Sequence, residues 1–337
     1  MNNLTTKLMG VELKNPLVLG ACSLSNHPEK LKELEEAGIS AIVFKSLFEE
    51  QIMREAYELD EQLHQYDDRN AEMTNLFPVV EHSGPGEHIL KLKAAVNAVN
   101  IPVFASINCV FEQTWVEYAK ALAETGIAGL ELNFYDTPKK LERTAKEIED
   151  YQVRIVEAVK KATNLPVQVK LSRYYTNPLN LIERLDKAGA NSFVLFNRLF
   201  LPTIDTHKEE FALSWDYTEP EERLYALRFA GLLYGKIEAD IVSNTGIYTW
   251  NDVVSMILAG ANSVQIVSVI YKWGWKHIPT ILDRLDGWMT SKGYKSLDDF
   301  RGKLAHINIK DKTQYTRAQY VDILLKQKPL FLTEDIR

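Results

Sequence analysis

Cysteine is nearly absent: Cys22 and Cys109 are the two in 337 residues, which excludes a disulfide framework and a four-cysteine iron–sulfur site. The seven histidines are scattered without metal-ligand spacing, so no metal is expected. A basic surplus is missing too. Against 39 Lys and Arg stand 46 Asp and Glu, a net charge of -7, and no basic stripe offers a nucleic-acid surface. The mixed-sign runs at 142–150 and 205–210 read as solvated faces. No apolar run reaches transmembrane length, and the start Met1-Asn2-Asn3-Leu4-Thr5 is not a signal peptide. The expectation is a cytoplasmic protein with neither a membrane nor a nucleic acid as partner.

What is present is 46% hydrophobic residues in a repeating order. Short runs rich in Val, Ile, Leu and Ala fall at 17–20, 41–44, 103–107, 129–132, 167–171, 192–196, 240–243 and 263–266. Amphipathic helical segments separate most of them, among them 28–37, 114–124, 178–188, 221–234, 251–258 and 278–292. Runs apolar on both faces suit a parallel sheet covered on both sides. Eight strand–helix units in order predict an α/β fold, a single (β/α)8 TIM barrel over residues 1–310. The stretch 311–337 reads as a C-terminal helical extension. The connection after the second strand is long. Its segment of about 49–86 is charged and helix-prone at first and then rich in Pro and Gly, and it is expected to form a lid-like insertion.

Chemistry in such a barrel sits at the carboxyl ends of the strands. Those ends carry Ala21, Cys22 and Ser23; Lys45 and Ser46; Asn108 and Cys109; Asn133; Lys170; Asn197; Ser243 to Gly246; and Val267 with Ser268. Converging amides and lysines suit an anionic, heterocyclic ligand. The stretch Ser243-Asn244-Thr245-Gly246 precedes a helix near Asn251 and offers N–H groups and hydroxyls to a phosphate, or else is an ordinary tight turn. Cysteine chemistry at Cys22 or Cys109 is the alternative to two inert core thiols.

Asn15-Pro16, Val43-Phe44-Lys45-Ser46, Ala105-Ser106-Ile107-Asn108-Cys109, Glu131-Leu132-Asn133, Val169-Lys170-Leu171 and Asn244-Thr245-Gly246-Ile247 together resemble the dihydroorotate dehydrogenase family, in its order. Ala105 to Cys109 also resembles the flavin domain of dihydropyrimidine dehydrogenase, and the stretch 292–304 a terminal signature of the soluble family enzymes. The resemblance spans 4–304. It implies FMN as cofactor, an oxidoreductase of CH–CH groups and a place in pyrimidine metabolism. It puts the phosphate on Thr245, Gly246, Val267 and Ser268, with Asn244 in the same loop and Ala21 and Cys22 near the flavin. Lys45 and Ser46 would approach the ribityl chain or ring, and Lys170 the pyrimidine edge. Asn108 and Asn133 would bond the ring or a substrate, and Lys45, Asn133 and Asn197 would serve the substrate. The family's soluble enzymes are typically dimers, so the resemblance allows a homodimer. It leaves the electron acceptor open.

Three departures bear on the substrate. The catalytic-base position of the family, Cys or Ser, falls on Asp136, with Tyr135 beside it; Asp136 is either that base or the cap of a helix beginning near Lys139. Pro138 replaces an asparagine, and the asparagine-rich loop after the second strand has no clear counterpart, Asn70 and Asn75 lying in different contexts. Such losses count against orotate as the substrate. Thr245-Gly246 replaces a double glycine and Val267-Ser268 a glycine–threonine pair. The expected activity is FMN-dependent oxidation or reduction of a C–C bond next to a carbonyl in a small dihydroorotate- or dihydropyrimidine-like molecule. Two alternatives stay open: a flavin-free lyase using Lys170 as a Schiff-base amine, and a non-catalytic flavin-binding subunit.

Overall fold

The apolar runs become strands and the amphipathic segments helices, in a computed structural model that describes residues 2–53, 85–135, 140–199, 201–212 and 217–326. The chain opens with a hairpin, β1 (Thr6–Leu8) and β2 (Val11–Leu13), whose turn residues Met9 and Gly10 both have positive φ. That is the geometry a two-residue hairpin loop requires. There follow β3 (Leu17–Cys22), β4 (Ala41–Phe48), β5 (Val103–Asn108), β6 (Gly129–Asn133), β7 (Val167–Ser172) and β8 (Ser192–Asn197). A second hairpin, β9 (Thr203–Asp205) with β10 (Glu210–Ala212), precedes β11 (Asp240–Ser243) and β12 (Ser263–Ile266). The eight strands β3 to β8, β11 and β12 are parallel, and β12 pairs with β3 to close the barrel. The (β/α)8 barrel expected from the spacing is the fold.

Capping residues fix where helices begin and end. Helix Pro28–Ala37 starts with proline in its first turn and stops at Gly38, whose φ of 116° no other residue adopts cheaply. Helix Ala145–Ala162 starts at a capping box of Thr144 and Glu147; the expected helix start near Lys139 lies outside the described residues. Most of the core lies between the barrel and its helices. A smaller cluster fills the amino-terminal end of the barrel, where Leu8, Met9 and Leu13 of the hairpin pack on Val18, Val43, Phe104, Val194 and Val242. The hairpin is thus a plug, held by the Met9 N–H donating to Asp240 at 2.6 Å. The signature at 292–304 proves to be a packing unit, Phe300 lying 5.0 Å from Trp288 and 5.2 Å from Tyr294 between ring centroids.

The mouth of the barrel is irregular. The register shifts between Leu19 and Cys22, between Phe44 and Leu47, and between Leu171 and Ser172, all at carboxyl ends. Such irregularities re-aim side chains, and Lys45 and Ser46, successive residues, both line one cavity as a result. Of the expected insertion, 49–53 are helical and helix Gly86–Ala98 leads back to β5. Asn70, Asn75 and the rest of the lid-like segment lie outside the described residues, as do Asp136 and Pro138.

Candidate active site

Polar residues recur at alternate positions in otherwise apolar strands: Ser106 and Asn108 in β5, Glu131 and Asn133 in β6, Gln168 and Lys170 in β7. Side chains two apart share a face, and here that face is the barrel interior. Above the apolar plug the interior turns polar. Fully buried Glu131 accepts hydrogen bonds from Ser106 Oγ at 2.9 Å, Gln168 Nε2 at 2.8 Å and Gln265 Nε2 at 2.9 Å. Lys170 Nζ stands 3.9 Å from the same carboxylate. A buried charge is tolerated only when paired and hydrogen-bonded, and Glu131 is both.

Over this floor opens a cavity of about 730 Å³ at the carboxyl ends of the strands. Ala21, Cys22, Lys45, Ser46, Tyr135, Asn133, Asn197, Asn244, Thr245, Gly246, Val267 and Ser268 all line it. Lys170 is not in its wall; it is buried and paired in the strand register with Asn133, which is in the wall. Asn108 donates to the Asn133 carbonyl at 2.8 Å but lines an adjoining cavity of about 620 Å³, which it shares with Cys109, Trp115 and Tyr151. Tyr135 borders both cavities.

Ser25 holds the first two strand ends together, accepting from the Lys45 N–H at 2.8 Å and donating to the Cys22 carbonyl at 2.8 Å. Asn15 serves the strand entry, bonding the Leu17 N–H and the Gly38 carbonyl, so the Asn15-Pro16 motif is structural. Burial pushes Cys22 up to about 11, and burial with the charges of Glu49 and Glu50 pushes Cys109 higher still.

The loops after β11 and β12 meet a segment that the sequence did not single out. Gly246 N–H donates to Thr218 Oγ1 at 3.2 Å, and Thr218 Oγ1 lies 2.9 Å from Ser268 Oγ. Tyr248 OH donates to the Thr218 carbonyl, and Arg223 Nε lies 2.9 Å from Asp252, anchoring this segment over the loop. Thr245 and Gly246 have φ of 67° and 65°. A Cβ at Gly246 would come within 2.7 Å of the Glu219 carbonyl and 2.8 Å of the Arg223 nitrogen. Tyr217 and Tyr271 stack at 6.2 Å on the rim, and Arg198 reaches Glu222 at 3.6 Å. Thr218 and the tyrosines carry no motif; Glu131, Gln168 and Gln265 were legible as charged or amide residues inside apolar runs.

Among the described residues no His, Cys, Asp and Glu group could hold a metal, and no helix is long and apolar enough to cross a membrane.

A closed eight-stranded α/β barrel with lysines, amides and a hydroxyl-bearing glycine loop at its strand ends defines a class of small-molecule enzyme. The profile of the family described as dihydroorotate dehydrogenase matches residues 61–289, and the chain belongs to that family of oxidoreductases. The catalytic subunit of dihydroorotate dehydrogenase B (NAD(+)) from Pyrococcus abyssi is 27% identical over 309 residues, 89% of this chain and 98% of that one. The same subunit from Thermoplasma volcanium is 25% identical, covering 90% of this chain and 98% of that one. That from Methanothermobacter thermautotrophicus is 24% identical over 90% and 98%.

Proposed function

We propose that the chain is an FMN-dependent oxidoreductase that acts on a C–C bond beside a carbonyl in a small dihydroorotate- or dihydropyrimidine-like substrate. The observation that carries this reading is the single cavity shared by Lys45, Asn133, Asn197 and the Thr245–Gly246 loop, over a floor holding Lys170. Its volume of about 730 Å³ lies in the range of cofactor sites. The left-handed pair at Thr245 and Gly246 makes a tight turn at the cavity wall beside the Ser268 hydroxyl, which supports a phosphate there.

In this reading Thr245, Gly246, Val267 and Ser268 hold the phosphate, and Asn244 the loop that presents it. Ala21, Cys22, Lys45 and Ser46 border the flavin, with Asn108 behind Asn133. Bound there, FMN supplies the two-electron acceptor or donor. Lys170 contributes positive charge from below, which favours anionic character above it. Asn133, Asn197 and Lys45 orient the substrate. The proton on the substrate carbon passes to Asp136 or Tyr135, consecutive residues of the loop after β6. A Schiff-base lyase is less well supported, because Lys170 is buried 3.9 Å from Glu131 and does not line the cavity where a carbonyl substrate would meet it.

The test is an absorption spectrum of the purified protein, reconstituted with FMN if colourless, followed by anaerobic addition of dihydroorotate and then dihydrouracil. Bleaching of a flavin band by either compound supports the reading and identifies the substrate. A flavin band that neither compound bleaches removes the substrate assignment, and failure to bind FMN removes the cofactor.

A further inference from the structure

The buried carboxylate of Glu131 is joined to the cavity wall by an unbroken file of short contacts. Ser106 Oγ lies 2.9 Å from Glu131 Oε1, and Ser46 Oγ lies 2.7 Å from Ser106 Oγ. Asn133 Nδ2 lies 3.3 Å from Ser46 Oγ, and Asn197 Nδ2 lies 2.8 Å from Asn133 Oδ1. The file begins at a fully buried side chain and ends at a residue of the cavity wall.

Elementary hydrogen-bond accounting gives the file one direction. A carboxylate only accepts, so Ser106 spends its single proton on Glu131. The Ser46 hydroxyl must then donate to Ser106, which leaves Ser46 nothing to offer Asn133 but a lone pair. Asn133 therefore turns its NH2 to Ser46 and its carbonyl to Asn197. Asn197 in turn gives one N–H of its amide to Asn133, so its nitrogen faces Asn133 and the other heteroatom of the amide, turned away from Asn133, is the carbonyl oxygen. Gln168 agrees with this sense, because it accepts from Ser192 at 3.2 Å on one atom and donates to Glu131 on the other.

We propose that Glu131 is a positioning residue that sets the donor–acceptor sense of the cavity wall, so that Asn197 presents an acceptor and selects ligands bearing an N–H group. The ligand class is a lactam or cyclic imide, not a lactone or other acceptor-only ring. This selectivity rests on the substrate-cavity reading above; the direction of the file does not.

Glu131→Gln should reverse the file. Gln168 and Gln265 both donate to one oxygen of Glu131, so the new amide keeps its carbonyl there and turns its NH2 to Ser106. Each following group then inverts, and Asn197 presents NH2. Neutron diffraction from the deuterated full-length protein reads this directly. The wild type should show the Ser106 deuteron on Glu131, the Ser46 deuteron on Ser106 and the Asn197 amide deuterons on Asn133. Glu131→Gln should show all three reversed. A wild-type map with the Ser46 deuteron pointing to Asn133 overturns the proposal, whether or not the variant folds.

The ligand measurement uses a carboxylated pyridone and the pyranone of the same outline, which differ only in N–H against ring oxygen. Wild-type holoprotein should prefer the pyridone by roughly tenfold to a hundredfold, the worth of one mismatched buried hydrogen bond. Glu131→Gln should invert that preference. Ser106→Ala, which cuts the file between Glu131 and Ser46 and leaves Lys170, Asn133 and Asn197 unsubstituted, should abolish it. Unchanged preference in Ser106→Ala overturns the role of the file in selectivity. Deuterons as expected in a protein that distinguishes neither probe would keep the file and remove the substrate cavity.

Discussion

Replacing Gly246 by alanine perturbs the loop after β11 at a position closed in by backbone atoms. The residue has φ of 65°, a conformation that costs an L side chain roughly 1–2 kcal/mol. The added Cβ would also meet the Glu219 carbonyl at 2.7 Å, the Arg223 nitrogen at 2.8 Å and the Pro220 carbonyl at 2.9 Å. All three are backbone atoms, which cannot rotate aside as a side chain can. Relief requires the segment that starts helix Arg223–Leu233 to shift, at about 1–3 kcal/mol by analogy with overpacked cores. The sum is about 2–5 kcal/mol. Unfolding entropy of about 2.1 cal/mol/K per residue makes about 0.7 kcal/mol/K for 337 residues, so Tm should fall by roughly 3–7 °C. Gly293 is the matched control. Its φ is 78° and nothing lies within 4 Å of its Cβ position, so Gly293→Ala should show the strain alone, roughly 1–3 °C. Calorimetric melts of both variants give the comparison, and titration with FMN and riboflavin adds the functional arm. Gly246→Ala should lose at least about tenfold in FMN affinity and much less in riboflavin affinity, since in the proposed function only the phosphate uses this loop. Equal melts for the two variants, or parallel losses for both flavins, would refute the reasoning.

Lys170→Met should leave FMN bound while slowing flavin reduction by about 10²–10³, the usual effect of removing one preorganised charge; stopped-flow absorbance checks it, and an unchanged rate would remove Lys170 from the chemistry. Acid should destabilise the chain through His88, which packs edge-on to Phe44 at 5.1 Å and whose imidazole is lowered to about 4 by burial and by Lys45 and Lys91. Between 6.5 and about 4 the unfolded chain binds a proton that the folded chain refuses, so stability is full above 6.5 and falls with pH, by about 3 kcal/mol in all. Urea unfolding of His88→Phe across that range should show a flatter pH profile than the wild type, and identical profiles would exclude His88 as the source.

The barrel was legible from residue order because strands covered on both faces are rich in Val, Ile, Leu and Ala, even where buried polar residues interrupt them. Helix Pro28–Ala37 and strands β11 and β12 fall where composition and capping residues put them. Lys45, Asn133, Asn197 and the Thr245–Gly246 loop were also legible, since strand ends in such a barrel converge by topology alone. The hairpin that plugs the barrel was not. Its Met9-Gly10 turn is an uncommon signal, and its three-residue strands are too short for periodicity to show.

Tertiary structure alone decided which neighbours those residues meet. Glu131 lies between Ser106, Gln168 and Gln265, from strands separated by up to 134 positions in sequence. Thr218 bridges Gly246 and Ser268 only because the segment after β10 folds back over the loop after β11. Asn108 shares its strand face with the site yet lines the adjoining cavity. The sequence by itself determined the periodicities and the strand ends, which depend on local composition. The pairing of polar groups depends on which side chains close the barrel brings within 3 Å, and no local pattern encodes that distance.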